Sequence, residues 1–174
     1  PIARDATRAM AAAFKDNIAL YGLVTGPFTL VSHLRGSELF LDMMMDPDRT
    51  RATMAFATET AKQAARFYLE HGCDIIAVVD PMTSQISPQH FTEFVAPYLN
   101  DIFADIKRRG GYSSLFVCGD ATRNLEAMCR TACDNISIDE NIPLELVCTL
   151  AHKYGKSAGG NLKLTMSLLL GTEA

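Results

Sequence analysis

The sequence predicts an α/β protein made of successive β/α units, the arrangement that builds a (β/α) barrel. Three observations point there. Strand-like apolar segments alternate with amphipathic helical segments five times along the chain. The segment Ile75-Ile-Ala-Val-Val79 has no polar alternation, as expected of a parallel strand covered on both faces. Each strand also ends on polar or glycine residues, and right-handed crossovers bring all such ends to the same edge of a parallel sheet.

The elements follow in order. A helix over Asp5–Phe14 precedes a first strand at Ile18–Val24. Pro27 opens a helix through Leu34, and a shorter one follows Ser37. Asp48 can cap a long helix that ends at His71-Gly72, with an inner stripe of Phe56, Thr60, Ala64, Phe67 and Tyr68. After the second strand, Ser87-Pro88 reads as an N-cap with proline in the first turn. Pro97 interrupts the run to Arg109, and Gly110-Gly111 stops it. The third strand is Ser114–Val117. Asp120 or Thr122 then caps a helix carrying Leu125, Met128, Cys129 and Ala132. The fourth strand is Asn135–Ile138. Asn141 caps Pro143–Tyr154, and Gly155 ends it. A short fifth strand, Lys156–Gly159, leads to a last helix at Leu162–Leu170.

The 174 residues suffice for one domain with a substantial core. Composition is that of an ordinary globular protein, 48% apolar and 21% charged. The net charge of −4 comes with scattered Lys and Arg, so there is no basic stripe for nucleic acid. No apolar run is long enough to span a membrane. Five cysteines, an odd number without a CxxC pair, read as reduced thiols and imply a cytoplasmic setting. The chain begins at Pro1, within a helical pattern, which suggests a piece of a longer protein.

The strand ends hold the candidate chemistry: Thr25-Gly26, Asp80, Cys118-Gly119-Asp120, Asp139-Glu140 and Gly160-Asn161. In (β/α) enzymes this face carries the active site. Each residue also has a structural alternative. Asp80 can bind polar substrate groups or orient a neighbour, or it can shape the turn before Pro81. Asp120 can take a proton or cap the following helix. Asp139 and Glu140 can act as an acid/base pair, or cap and form salt bridges. Asn161 can hydrogen-bond a ligand or form a turn. His33, on a helix, contacts substrate only if that helix borders the mouth. Cys118 is a soft metal ligand or a small buried residue. Cys73, Cys129, Cys133 and Cys148 read as core, and Met43-Met-Met45 as core or subunit contact.

The words around these tips carry a resemblance. Gly26-Pro-Phe-Thr-Leu-Val-Ser-His33, Asp80-Pro-Met-Thr-Ser-Gln-Ile-Ser-Pro88, Phe116-Val-Cys-Gly119 and Gly160-Asn-Leu162 resemble the uroporphyrinogen decarboxylase superfamily, in order and along essentially the whole chain. That superfamily includes the decarboxylase of haem biosynthesis and corrinoid-dependent methyltransferases. The resemblance implies a TIM-barrel fragment, with about five parallel strands that are roughly the third to the seventh.

Within the superfamily, His33 stands where the decarboxylase has a tyrosine, and Pro81 where it has a serine. Asp139-Glu140 resembles the acidic pair of the methyltransferase branch. That branch carries His-x-Cys-Gly at the third strand end here, with the His and Cys binding zinc and a distant Cys completing the site. This chain keeps Cys118 and Gly119 but has Phe116 in the His position.

The resemblance thus implies methyl transfer from methylcobalamin to a thiol. Asp80, Asp139 and Glu140 are the catalytic candidates, His33, Asp120 and Asn161 the substrate-binding ones, and Cys118 the zinc ligand. The alternatives are a decarboxylase acting on a tetrapyrrole and a non-catalytic tetrapyrrole-binding module. A corrinoid protein is an expected partner. A barrel lacking strands leaves two unpaired edges, so self-association or pairing with the rest of the barrel is also expected.

Overall fold

In a computed structural model, residues 2–163, 167 and 169–171 are described. The element order is α1 (Ile2–Phe14), β1 (Tyr21–Thr25), α2 (Pro27–Arg35), α3 (Glu38–Met45), α4 (Pro47–Glu70), β2 (Ile75–Val79), α5 (Pro88–Phe94), α6 (Ala96–Arg108), β3 (Tyr112–Val117), α7 (Leu125–Cys129), β4 (Asn135–Ile138), α8 (Leu144–Lys153) and β5 (Ser157–Gly159). Two 3-10 turns, Pro81–Gln85 and Thr122–Asn124, follow β2 and β3. The expected last helix, Leu162–Leu170, lies largely outside the described residues.

All five strands are parallel and pair in sequence order, β1-β2-β3-β4-β5. The sheet edges are therefore β1 and β5, as a barrel segment requires. The register lines up Thr25, Val79, Phe116, Ser137 and Gly159 in one row across the sheet. The residues after that row form the strand tips, all at one edge.

The two faces of the sheet differ. Val24, Ile76, Val78, Leu115, Val117, Ile136 and Ile138 point to the helices and are buried with Phe28, Met54, Phe91, Leu99, Phe103 and Ile106. Burying each such aromatic or aliphatic side chain contributes about 1.5–3 kcal/mol. The opposite face is the inner wall of a barrel: Tyr21 is 56% exposed, Leu23 61% and Tyr112 64%. Helices cover one side only, so the chain is an open half-barrel.

Two helix expectations change. The cap of α4 is Asp46, whose side chain accepts from the N–H of Arg49, with Pro47 as the first helical residue. The buried stripe of α4 is Thr50, Met54, Ala57, Ala61 and Ala65, while Phe56 is 66% exposed. Alanines let α4 approach its neighbours closely, whereas a stripe centred on the large aromatics would hold it away. Arg66 then reaches Asp105 on α6 at 3.0 Å. Burial opposes the charge on Asp105, but hydrogen bonds from Arg66, Arg109 and Arg108 hold its carboxyl well below the ordinary range. The break at Pro97 is present, with α5 ending at Phe94 and α6 restarting at Ala96. Met43 is in the core and Met44 and Met45 are exposed; Cys73, Cys129 and Cys133 are buried, but Cys148 is exposed.

Candidate active site

Gly26 joins β1 to α2 as an N-cap without a capping side chain of its own. The cap comes from the next strand. Asp80, just past β2, accepts from the N–H of Phe28 at 3.2 Å, from the N–H of Thr29 at 2.7 Å and from the Thr29 hydroxyl at 2.6 Å. Two orphan N–H groups of the helix start and one hydroxyl are satisfied by one carboxylate. A Cβ on Gly26 would sit 2.3–2.5 Å from this side chain, so the approach requires glycine. The Thr29 hydroxyl also receives the N–H of Met82, fastening the β2 loop to α2. Burial pushes the Asp80 carboxyl up to about 6, against the lowering effect of its hydrogen bonds to Thr29 and Phe28.

Asp80 is thus wholly buried, and it positions α2 rather than facing the mouth. Its oxygens are taken by backbone and hydroxyl donors of α2. His33 lies exposed on α2, without a hydrogen bond among the described residues. Asp120 is exposed and accepts from the N–H of Thr122 at 3.1 Å, so it shapes the 3-10 turn. The Thr122 bonds draw its carboxyl down from the ordinary value. Asn161 donates to the carbonyl of Ile142 at 2.8 Å, tying the β5 tip to the start of α8. Gly160 precedes it at φ +119°, where a Cβ would strike the Ile138 carbonyl.

The tips of β3 and β4 do meet. Asp139 accepts from the N–H of Gly119 at 2.6 Å, and from the backbone and side-chain amides of Asn141 at 2.9 Å each. Partial burial raises the Asp139 carboxyl, but these donors outweigh it and the net shift is downward. Asn141 therefore serves the Asp139 turn and does not cap α8, whose first turn follows Pro143. Glu140, half-buried beside Asp139, has no hydrogen bond among the described residues. Cys118 is half-buried next to this pair. Its thiol is pushed up by burial and then by the charges of Asp139 and Glu140. The β3–β4 tip therefore presents a neutral thiol, a fixed carboxylate and an uncommitted one.

The expected zinc site can be tested against this donor set. Phe116, two residues before Cys118, brings a ring and no donor atom. Among the described residues, no three His, Cys, Asp or Glu side chains gather closely enough to hold a metal ion. Cys118 is a single soft ligand whose surroundings favour the protonated thiol. These residues do not fit zinc.

Below the tips lies a polar cluster that the sequence reading passed over. Ser114 and Ser137 each place a hydroxyl 2.7 Å from the Asn135 side-chain oxygen and 3.1 Å from each other. The Asn135 amide donates to Ser157 at 2.9 Å. All four face the inner wall, on β3, β4 and β5. Part of the signal was available: Asn135 and Ser137 alternate with Ile136 and Ile138 along β4.

Comparison with known proteins agrees with this architecture. The family model "Uroporphyrinogen decarboxylase (URO-D)" matches residues 1–174. A methylcobamide:CoM methyltransferase, MtbA, of Methanosarcina mazei is 26% identical over 142 residues, covering 80% of this chain and 42% of the relative. A uroporphyrinogen decarboxylase of Anaeromyxobacter dehalogenans is 30% identical over 174 residues, covering 97% of this chain and 49% of the relative. A solved methyltransferase from Methanosarcina mazei superposes with a TM-score of 0.90 over 99% of this chain and 51% of its own, at 22% identity, which establishes the shared fold. The chain spans about half the length of the curated relatives it matches. It belongs to the uroporphyrinogen decarboxylase family.

Proposed function

We propose that this chain carries part of the active site of a corrinoid-linked methyltransferase, which moves a methyl group from methylcobalamin to a thiol. The carrying observation is the β3–β4 tip, where the neutral thiol of Cys118 stands beside the uncommitted carboxylate of Glu140. A thiol acceptor entering there loses its proton to Glu140. The C–S bond forms as the Co–C bond breaks, and the electron pair remains on cobalt. Asp139 keeps the Gly119 turn, and with it Cys118, in place. No step is assigned to zinc, since the donor set does not fit it.

A decarboxylase reading is kept by the relatives of that name. The electrostatics weigh against it. A porphyrinogen bears several carboxylates and needs cations around it. The tips here carry Asp120, Asp139 and Glu140, and the guanidinium of Arg123 is bound to the Ser84 carbonyl at 3.1 Å. The donor corrinoid is free or carried by a corrinoid protein. The inner wall is covered by the remainder of a barrel or by a second copy. Among the described residues no helix is long and apolar enough to cross a membrane, and the free cysteines suit the cytosol.

The test uses the full-length protein with methylcobalamin and a panel of alkyl thiols, following loss of the Co–C chromophore and formation of the thioether. Glu140→Gln is expected to lower kcat by about 100-fold or more. Uroporphyrinogen turnover without methyl transfer would replace this reading with the decarboxylase one.

A further inference from the structure

The loop after β2 is gripped by the loop after β3. Asn124, wholly buried, closes the 3-10 turn Thr122–Asn124. Its side-chain amide donates to the carbonyl of Thr83 at 2.8 Å and to that of Ile86 at 2.9 Å, across 41 and 38 residues of sequence. These partners fix which way the amide points. Turned over, it would set its oxygen against two carbonyl oxygens with no proton between them. As placed, its oxygen is buried without a partner, so all the hydrogen bonding of this side chain goes to the β2 loop. Arg123, next to it, donates to the carbonyl of Ser84 at 3.1 Å. Two consecutive residues thus hold the carbonyls of Thr83, Ser84 and Ile86.

What this grip places is Ser84. Its side chain is 6% exposed and donates to the carbonyl of Pro81 at 2.8 Å. A Cβ built on Gly119 would come 3.3 Å from the Ser84 hydroxyl oxygen, so Ser84 stands against the Gly119 α-carbon. Gly119 follows Cys118, has φ +85° and donates its N–H to Asp139. Its carbonyl accepts from the N–H of Ala121 at 2.9 Å, and the Ala121 carbonyl from the N–H of Asn124 at 2.8 Å. The Cys118–Gly119 turn is therefore clasped from two sides, by Asp139 after β4 and by Ser84 after β2. All these contacts join the three central strand tips.

We propose that Asn124 is a positioning residue of the β3–β4 tip: by anchoring the Pro81–Ile86 loop it keeps Ser84 against Gly119, and so fixes Cys118 beside Asp139 and Glu140. Its consequence for catalysis rests on the methyltransferase reading above. A glycine at positive φ has wide backbone freedom, so the turn does not hold itself. The bond to Asp139 fixes one atom of it, and the Ser84 contact restrains the other side. Without the Asn124 amide, the Thr83 and Ile86 carbonyls are short of a donor, and water entering between the loops supplies it. The Cys118 turn then opens more often, and its thiol is reached more readily.

The experiment follows iodoacetamide alkylation of Cys118 in the full-length protein by peptide-level mass spectrometry. It compares the wild type, Asn124→Ala, Ser84→Gly, their double variant and Asp105→Asn, at a temperature where circular dichroism shows each folded. Asp105 bonds α4 to the last turn of α6, which leads into β3 from its N-terminal end, and so controls for lost stability alone. Asn124→Ala and Ser84→Gly should each speed alkylation about three- to tenfold. The double variant should react no faster than the faster single one, because both changes release the same contact. Asp105→Asn should leave the rate unchanged. In turnover of methylcobalamin with an alkyl thiol, Asn124→Ala should lower kcat about tenfold or more and leave the thiol KM within about twofold. If Asn124→Ala does not fold, Asn124→Ser, which keeps one donor close to the backbone, takes its place with the same expectations. An unchanged Cys118 rate, an equal gain in Asp105→Asn, or gains that multiply in the double variant overturn the proposal. Turnover with kcat unchanged in Asn124→Ala also overturns it and leaves the methyltransferase reading standing. No turnover by the wild type, together with the expected alkylation pattern, removes the methyltransferase reading and keeps the positioning role.

Discussion

The Asp80 carboxylate holds the backbone and side chain of Thr29 together, at 2.7 Å to its N–H and 2.6 Å to its hydroxyl, across 51 residues of sequence. A strand-tip carboxylate is here the N-cap of the preceding unit's helix. Removing it leaves three buried donors without an acceptor. Asp80→Ala should therefore destabilise the protein by about 2–4 kcal/mol in denaturant unfolding. Gly26→Ala, which forces a Cβ into the same side chain, should destabilise by about 1–3 kcal/mol. A loss below about 0.5 kcal/mol for Asp80→Ala would show that solvent replaces the cap.

The same carboxyl gives the fold a pH signature. Its folded value, about 6, lies above the ordinary 3.8. In that interval the native state binds the proton more tightly than the unfolded chain does. This contribution is fully present below about 4 and is lost as pH rises through 6, by up to roughly 3 kcal/mol in all. Asp80→Asn, which does not titrate, should remove the dependence. Its stability gap from the wild type should widen as pH falls from 7 to 4, measured by denaturant midpoints at each pH. A gap that narrows over this interval contradicts the assignment.

Strand positions were legible from the apolar run Ile75–Val79 and the alternation of Asn135–Ile138, which match the observed strands residue for residue. The roles of the tip residues were not. Asp80 reads as the start of its own turn, and nothing near it in sequence names Thr29 as its partner. Helix α4 was placed correctly but rotated. Its aromatics attract attention, while close packing is made by Ala57, Ala61 and Ala65. Asn161 followed the same pattern, since its partner, the Ile142 carbonyl, lies 19 residues away, whereas Asn141 bonds Asp139 within its own turn. The Ser114–Asn135–Ser137 cluster was partly written in the alternation of β4, but its meaning depends on register, which pairs Ser114 with Asn135.

Cys118 offers a direct reading of the β3–β4 tip. Burial first, and then Asp139 and Glu140, hold its thiol protonated. Neutralising Glu140 removes a repulsive charge without touching the Gly119 turn. Glu140→Gln should speed alkylation of Cys118 by iodoacetamide about two- to fivefold at pH 8 and low salt, and the gain should shrink as salt screens the wild-type charge. Peptide-level mass spectrometry separates this thiol from the exposed Cys148. An unchanged rate would mean that burial and Asp139 set the thiol without Glu140.

Phe116 decides whether the tip can hold zinc. Residues two apart on a strand project to the same face, so a histidine at this position would share a face with Cys118 and supply an imidazole nitrogen. Wild-type Cys118, with no second soft donor beside it, should be alkylated at nearly the same rate with or without micromolar zinc. In Phe116→His, zinc should slow alkylation of Cys118 by about tenfold or more, because coordination engages one sulfur lone pair, the cation's charge lowers the reactivity of the rest, and the nitrogen adds a second bond to the metal. Equal protection of the wild type would show that one thiolate and the neighbouring carboxylates bind zinc in the full-length protein. The methyl-acceptor proton would then be displaced by the metal and not taken by Glu140, and Glu140→Gln would lose its large effect on kcat.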